Sequence, residues 1–293
     1  MKRIFALFLT CMLLLTACGE KSPAENSRTN SEEAPPAAET ADTVDSAEAT
    51  TMTLRIVDGA ESGELLLAGE NASDVYTVST KGVPILLDGG SASAEDLKDG
   101  MLVDIHYTGG IAESFPGQPG GVDSISASSI GTEECPGGGY FDLCGFYLKV
   151  LNDLWEKDPA MNEGISTVSV DLSQAPGDLT NGEKEAIAWV FAQEHQVEEL
   201  TYSWEQLKKE GYLTEETAAE SDPAQEPQDT WEDGLFFSIT AHETEEEETY
   251  SLPVLRFDAQ KYTDLQNVCG FTDCTAVWPE MGTWTDYQVR AEN

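Results

Sequence analysis

The sequence predicts a multidomain chain, with a small all-β barrel over residues 52–131 followed by an α+β domain with an antiparallel sheet over residues 142–293. Three observations carry this. Short β-prone runs recur at close spacing between 53 and 107, apolar residues fall at helical spacing between 143 and 191, and apolar and polar residues alternate from 235 to 254. Short strands punctuated by turn residues suggest a barrel or sandwich, and helices followed by several strands suggest α+β layers.

Ahead of both parts stand Lys2 and Arg3, then an apolar stretch of 14 residues from Ile4 to Ala17. A membrane-spanning helix needs about 20, so the length fits the apolar part of a secretory signal. Leu15, Thr16, Ala17 and Cys18 close the stretch. This quartet resembles the lipobox of bacterial lipoproteins: an aliphatic residue, two small residues and the cysteine that becomes lipidated. The resemblance implies loss of residues 1–17 as a signal peptide, acyl chains such as palmitate on Cys18, and lipid anchoring on the outer, extracytoplasmic face of a bacterial membrane. Each buried methylene contributes about 0.8 kcal/mol, so two or more chains hold a protein firmly. Cys11 follows Phe8, Leu9 and Thr10, which lack the small residues required. The alternative is an ordinary cleaved signal with a chance cysteine.

Residues 18–51 are expected to be a lipidated, disordered tether. The stretch 19–50 holds no Trp, Tyr, Phe, Leu or Ile, too little to offset the entropy of ordering. Acidity runs through the whole chain, with 55 acidic against 15 basic residues and a net charge of −40. Such a surface repels phosphate backbones, which bind through Lys and Arg, and excludes nucleic acid as a partner. It draws cations, although dense surface acid also serves solubility alone.

In the first folded part, "TLRIV" at 53–57, "ELLLAG" at 64–69, "VYTVS" at 75–79, "VPILL" at 83–87 and "MLVDIHY" at 101–107 read as strands. Val103, Ile105 and Tyr107 share one face, and Leu102, Asp104 and His106 the other. Asp96, Leu97, Lys98 and Gly100 ahead of the last run, with Gly110, Glu113, Ser114 and Pro116 after it, carry a further likeness. The segment 52–131 resembles a small OB-like β-barrel domain of unknown function found in lipoproteins of Gram-positive bacteria. That resemblance implies a fold and an address but no chemistry. Single-strand binding is excluded, since Arg55, Lys81 and Lys98 face 14 acids between 51 and 134.

A Gly-rich joint at 132–141 leads on. Leu143, Tyr147, Val150, Leu151 and Leu154 form an amphipathic stripe that Pro159 stops. "ISTVSVDLS" at 165–173 reads as a strand. Thr180 with Glu183, and Ser203 with Gln206, have capping-box spacing at the head of two more helices, the second ending near Gly211. Phe237, Ile239 and Ala241 alternate with Phe236, Ser238 and Thr240, and Tyr250, Leu252 and Val254 answer them in a hairpin whose tip carries Glu243 and Glu245 to Glu248. "CTAVW" and "GTWTDYQV" supply closing strands. Helices are expected on one face of this sheet.

Beyond the signal, four thiols remain: Cys135, Cys144, Cys269 and Cys274. In an oxidising compartment an even number suggests disulfides, and four cysteines allow three pairings. The local pairing, Cys135 with Cys144 and Cys269 with Cys274, is the expected one. Crossed bridges, free thiols and a four-thiolate zinc site are the alternatives, the Cys-x8-Cys and Cys-x4-Cys spacings being loose for zinc.

The sequence has no nucleophile elbow, zincin motif, phosphate loop or dinucleotide fingerprint. His195 with Glu194, Glu198 and Glu199 is the nearest approach to a ligand cluster, and His106 and His242 complete the three histidines. The Glu245 to Glu248 run lacks the alternating order of a calcium loop. Trp204, Trp231, Trp278 and Trp284 have the chemistry to stack on sugars, with core packing the plainer reading. No catalytic residue, metal or cofactor is expected. The expected role is a non-catalytic binding or assembly module at the cell envelope, anchored by lipid, for a small-molecule, glycan or protein ligand. A hydrolase built on acidic residues and a structural spacer are the alternatives. Two carboxylates converging in a cleft, one of them desolvated, would favour the enzyme; a concave aromatic-lined face would favour the binder.

Overall fold

A computed structural model describes residues 49–129, 142–216, 228–242, 254–277 and 286–292. Ser46–Asn293 form one compact unit. The signal segment, Cys18 and nearly all of the expected tether lie outside the described residues, and the first strand already begins at Thr50. Among the described residues no helix is long and apolar enough to cross a membrane.

The first part comprises β1 (Thr50–Asp58), β2 (Glu64–Ala68), β3 (Val75–Ser79), β4 (Ile85–Leu87), β5 (Gly90–Ala92), β6 (Leu102–Tyr107), a small hairpin of β7 (Ile111–Ala112) and β8 (Gln118–Pro119), and β9 (Val122–Ala127). Seven strands make one sheet in the order β3-β2-β1-β6-β9-β4-β5. This sheet does not close into the expected barrel. β4 and β5 are only three residues each, and the edge of β3 is met by Gly117 beside β8, with Thr77 N donating to Gly117 O at 2.9 Å and Gly117 N to Val75 O at 2.8 Å. The alternation in β6 is as expected, with Val103, Ile105 and Tyr107 buried. In β2 both faces are covered: Leu65 and Leu67 join Ile56, Val103 and Ile125 in the sheet's own core, whereas Leu66 and Ala68 face the other way. A continuous apolar run is the signature of a strand buried on both sides.

The second part runs α1 (Leu143–Glu156), β10 (Thr167–Gln174), α2 (Asn181–His195), β11 (Glu198–Leu200), α3 (Trp204–Glu210), β12 (Thr214–Glu216), β13 (Gln228–Thr230), β14 (Gly234–Ala241), β15 (Val254–Tyr262), β16 (Val268–Val277) and β17 (Ala291–Glu292). Its main sheet has the order β11-β10-β14-β15-β16-β17. The sheet is mixed rather than antiparallel, because β10 runs parallel to both β11 and β14. The helix α2 carries the chain back between β10 and β11, the crossover that parallel neighbours require.

Both expected capping boxes are present. Glu183 N donates to Thr180 Oγ1 at 3.1 Å while Thr180 N donates to Glu183 Oε2 at 2.7 Å, and Ser203 pairs likewise with Gln206. α3 stops at Gly211, whose φ of 85° suits glycine. α1 and α2 pack on one sheet face against Phe237, Ile239 and Phe257. The opposite face is covered as well, by Trp204 and Leu207 of α3 with Trp231 over Phe236 and Tyr262, so helices are not confined to one side.

The two parts meet at the start of α2. Thr180 Oγ1 donates to Gly69 O at 2.6 Å, Asn181 N to Glu70 O at 3.1 Å, and Arg55 Nε to Glu183 Oε1 at 2.5 Å. Val57, Leu66, Ala68 and Val75 of the first sheet belong to the same buried cluster as Phe146, Ile187 and Phe191.

Candidate functional site

A cavity of about 550 Å³ opens beside this seam. Its walls come from four places: Glu61 and Ser62 in the turn between β1 and β2, Thr80 just after β3, Glu95, Lys98 and Asp99 in the turn before β6, and Asp142 just ahead of α1. The first turn needs Gly59, whose φ is 92° and where a Cβ would stand 2.0 Å from Glu64 O. Ala60 N donates to Asp99 Oδ1 at 3.1 Å and ties the two turns together. Asp142 is the N-cap of α1, accepting from Gly145 N at 2.9 Å.

Both aspartates lie where charge is costly. Burial raises the Asp99 carboxyl, and the Asp58 and Glu61 carboxylates add to it, against a hydrogen bond from Ala60 N. Asp142 is pushed up to about 6, chiefly by burial, with Asp99 and Asp58 also raising it and the Gly145 N–H bond and Arg55 pulling it down. Each carboxylate spends one oxygen on a backbone N–H, and the other makes no hydrogen bond to a described residue. Lys98 Nζ is turned to Glu95 O at 3.1 Å, Ser62 Oγ donates to Gly59 O and Thr80 Oγ1 to Gly63 O. The lining therefore offers acceptors and negative charge, without a nucleophile hydrogen-bonded to a base.

The turn singled out in the sequence, Asp96, Leu97, Lys98 and Gly100, is a wall of this cavity. Ser93 and Asp96 close it as a small capping box, Leu97 is buried, and Gly100 has φ 88°. Asp99, the unspecified position of that motif, is the residue sequence reasoning passed over. Asp142 was missed too, although an Asp three residues before Gly145 at a helix start is a readable cap signal. At the far end of the likeness, Ser114 Oγ donates to Pro116 O at 2.9 Å and the Phe115–Pro116 peptide is cis.

Among the described residues the other candidates do not assemble into sites. Cys144, Cys269 and Cys274 are buried free thiols, and Cys135 lies outside the described residues. The Cys269 to Cys274 bridge is not formed, because both residues belong to the single strand β16. Five residues of strand at about 3.3 Å each hold their Cα atoms more than about 10 Å apart, beyond the roughly 7 Å that a bridge tolerates. Among the described residues no group of three His, Cys, Asp or Glu could hold a metal ion.

His195 ends α2, stacks on Trp155 with ring centroids 4.1 Å apart and meets Asn152 Oδ1 at 2.7 Å. Burial lowers its pKa. Gln196 then turns left-handed at φ 58°, which puts Glu198 and Glu199 on β11 instead of on a helical face with Glu194 and His195. His106 Nδ1 meets Thr51 Oγ1 at 2.9 Å. His242 Nδ1 stands 3.0 Å from both Asp258 oxygens, and Asp273, which Arg290 grips at 2.8 Å, stands 3.7 Å from its Nε2. Trp204 and Trp231 are core residues. Trp278, Trp284 and the 243–248 acidic tip lie outside the described residues.

Comparison of the chain with family models, with curated proteins and with solved structures gives no match.

Proposed function

We propose that this chain is a lipid-anchored lipoprotein on the outer face of a bacterial membrane, a non-catalytic binding module whose ligand seat is the cavity at Asp99 and Asp142. The address rests on the likeness of Leu15, Thr16, Ala17 and Cys18 to a lipobox and of residues 52–131 to an OB-like lipoprotein domain. The single observation that supports binding is the cavity itself. It has the volume of a small-molecule site, and its polar groups converge without a nucleophile–base pair. Intact mass of the membrane-extracted protein tests the anchor, with loss of 17 residues and gain of acyl mass expected, and Cys18→Ala should release the chain from membranes. For the seat, a thermal-shift panel of small cations, neutral polyols and anions should contain a class that stabilises the wild type and not the cavity-filling variant Ala94→Trp. If every class leaves both proteins unchanged, the binding reading is wrong.

One observation favours the hydrolase reading. Asp142 at about 6 is placed to give up a proton near neutrality, with Asp99 beside it. Turnover of chromogenic glycosides or esters that disappears in Asp142→Asn would establish that reading and displace the first.

A further inference from the structure

We propose that this cavity takes the ammonium or guanidinium end of a small organic cation, with Asp99 and Asp142 as its anionic partners. The inference rests on the cavity being a ligand seat and adds the chemical class of what sits there. The lining supplies four carboxylates, Glu61, Glu95, Asp99 and Asp142, against the single ammonium of Lys98, which is directed onto Glu95 O. Asp99 and Asp142 come from different elements, and each is held by one backbone N–H, which restricts the freedom of its remaining oxygen. A cation gives these oxygens the donors they lack, whereas an anion would add repulsion to a site already strained by like charge. Burial raises both carboxyls, which is the cost that a bound positive charge relieves.

A proton linkage follows. The charged groups around the Asp142 carboxyl are Arg55 and Asp58 of β1 and Asp99, with Glu61, Glu95 and Lys98 along the cavity wall. Since Asp142 titrates at about 6 in the empty protein, a cation must displace a proton from it under mildly acidic conditions. Affinity should be about tenfold lower at about pH 5 than at about pH 7. At about pH 6 the binding heat should vary with the ionisation enthalpy of the buffer.

Calorimetric titration of the full chain with putrescine, its neutral isostere butanediol and dianionic succinate tests this. Putrescine should bind, its affinity should fall by about tenfold or more in Asp99→Asn and in Asp142→Asn, and Ala94→Trp should abolish binding. The exposed pair Glu205→Gln and Glu210→Gln controls for general attraction to an acidic chain and should change nothing. Equal losses in that control and in the cavity variants would mean diffuse attraction and overturn the proposal. Butanediol or succinate binding as tightly, with Ala94→Trp abolishing it, would overturn the cationic class while leaving the seat in place. No binding by any of the three would overturn the cationic class as well, and the thermal-shift panel then decides the seat separately.

Discussion

Asp142 serves as a helix cap and as a cavity carboxylate, and only the second role suffers from its charge. Its folded pKa of about 6 lies above the ordinary carboxyl value of 3.8, so the folded chain binds more protons between those limits. Stability therefore falls as pH rises through that window, and above it the full cost of burying the charge, at most about 3 kcal/mol, persists. Asn caps a helix as well as Asp. Asp142→Asn should keep the bond from Gly145 N, raise the urea midpoint at neutral pH and flatten the pH dependence between about pH 4 and 6. Asp142→Ala should instead lose the cap, worth about 1 kcal/mol. Equal midpoints for the wild type and Asp142→Asn across that range would show that the carboxylate is not strained. Lys261 is the opposite case, a fully buried ammonium with every donor used, on Trp155 O at 3.0 Å, Asp158 O at 3.1 Å and Asn162 Oδ1 at 2.9 Å. It closes the C-terminal end of α1 from strand β15. Lys261→Met should cost about 3 kcal/mol or more through the acceptors left unpaired, and amide exchange over residues 153–158 should quicken.

The start of α2 is built to lie against backbone. Asn181 N donates to Glu70 O, and a Cβ on Gly182 would stand 2.5 Å from Gly69 O and 2.9 Å from Asn71 O. These are main-chain atoms that move only with their whole turn. Gly182→Ala should thus destabilise by about 1–3 kcal/mol as an overpacking substitution, despite the better helix propensity of alanine. Hydrogen exchange should rise together in residues 69–74 and 180–184. A variant as stable as the wild type would show that the seam yields easily. The capping boxes at Thr180 and Ser203 were legible in the sequence because all their partners lie within three residues. The parallel pairing of β10 with β14 was not, since it joins Thr167 to Gly234 across the whole intervening chain. Nor was the length of β15: "RFDAQKY" mixes charge with apolar residues, and Lys261 sits on a buried face that polarity alone assigns to solvent. The Cys269 to Cys274 bridge failed for a related reason, as short sequence separation becomes a long distance once both residues share a strand.

The sequence divides in composition near residue 132, but the two folded parts share one core and one compact unit. Leu65 to Ala68 carry the readable sign of a strand covered on both faces, and the second cover is the helical layer that follows in sequence. The candidate site was hidden by the same circumstance: Asp99 and Asp142 are 43 positions apart and line one cavity only because the sheet and α1 are packed into one unit. A shared core also predicts how the molecule unfolds. The six tryptophans all follow residue 154, so their fluorescence reports on the second part alone. Leu66 lies on β2 of the first part, is 4% exposed, and packs in the cluster that holds Phe146 and Phe191. Leu66→Ala should destabilise by about 2–4 kcal/mol as a buried truncation and move the tryptophan midpoint in urea downward with its slope unchanged. Exchange of the β1 and β6 amides should then collapse at the same urea concentration. If the tryptophan signal keeps its wild-type midpoint while the first sheet opens early, the two parts fold independently, and the cavity between them would open without unfolding either.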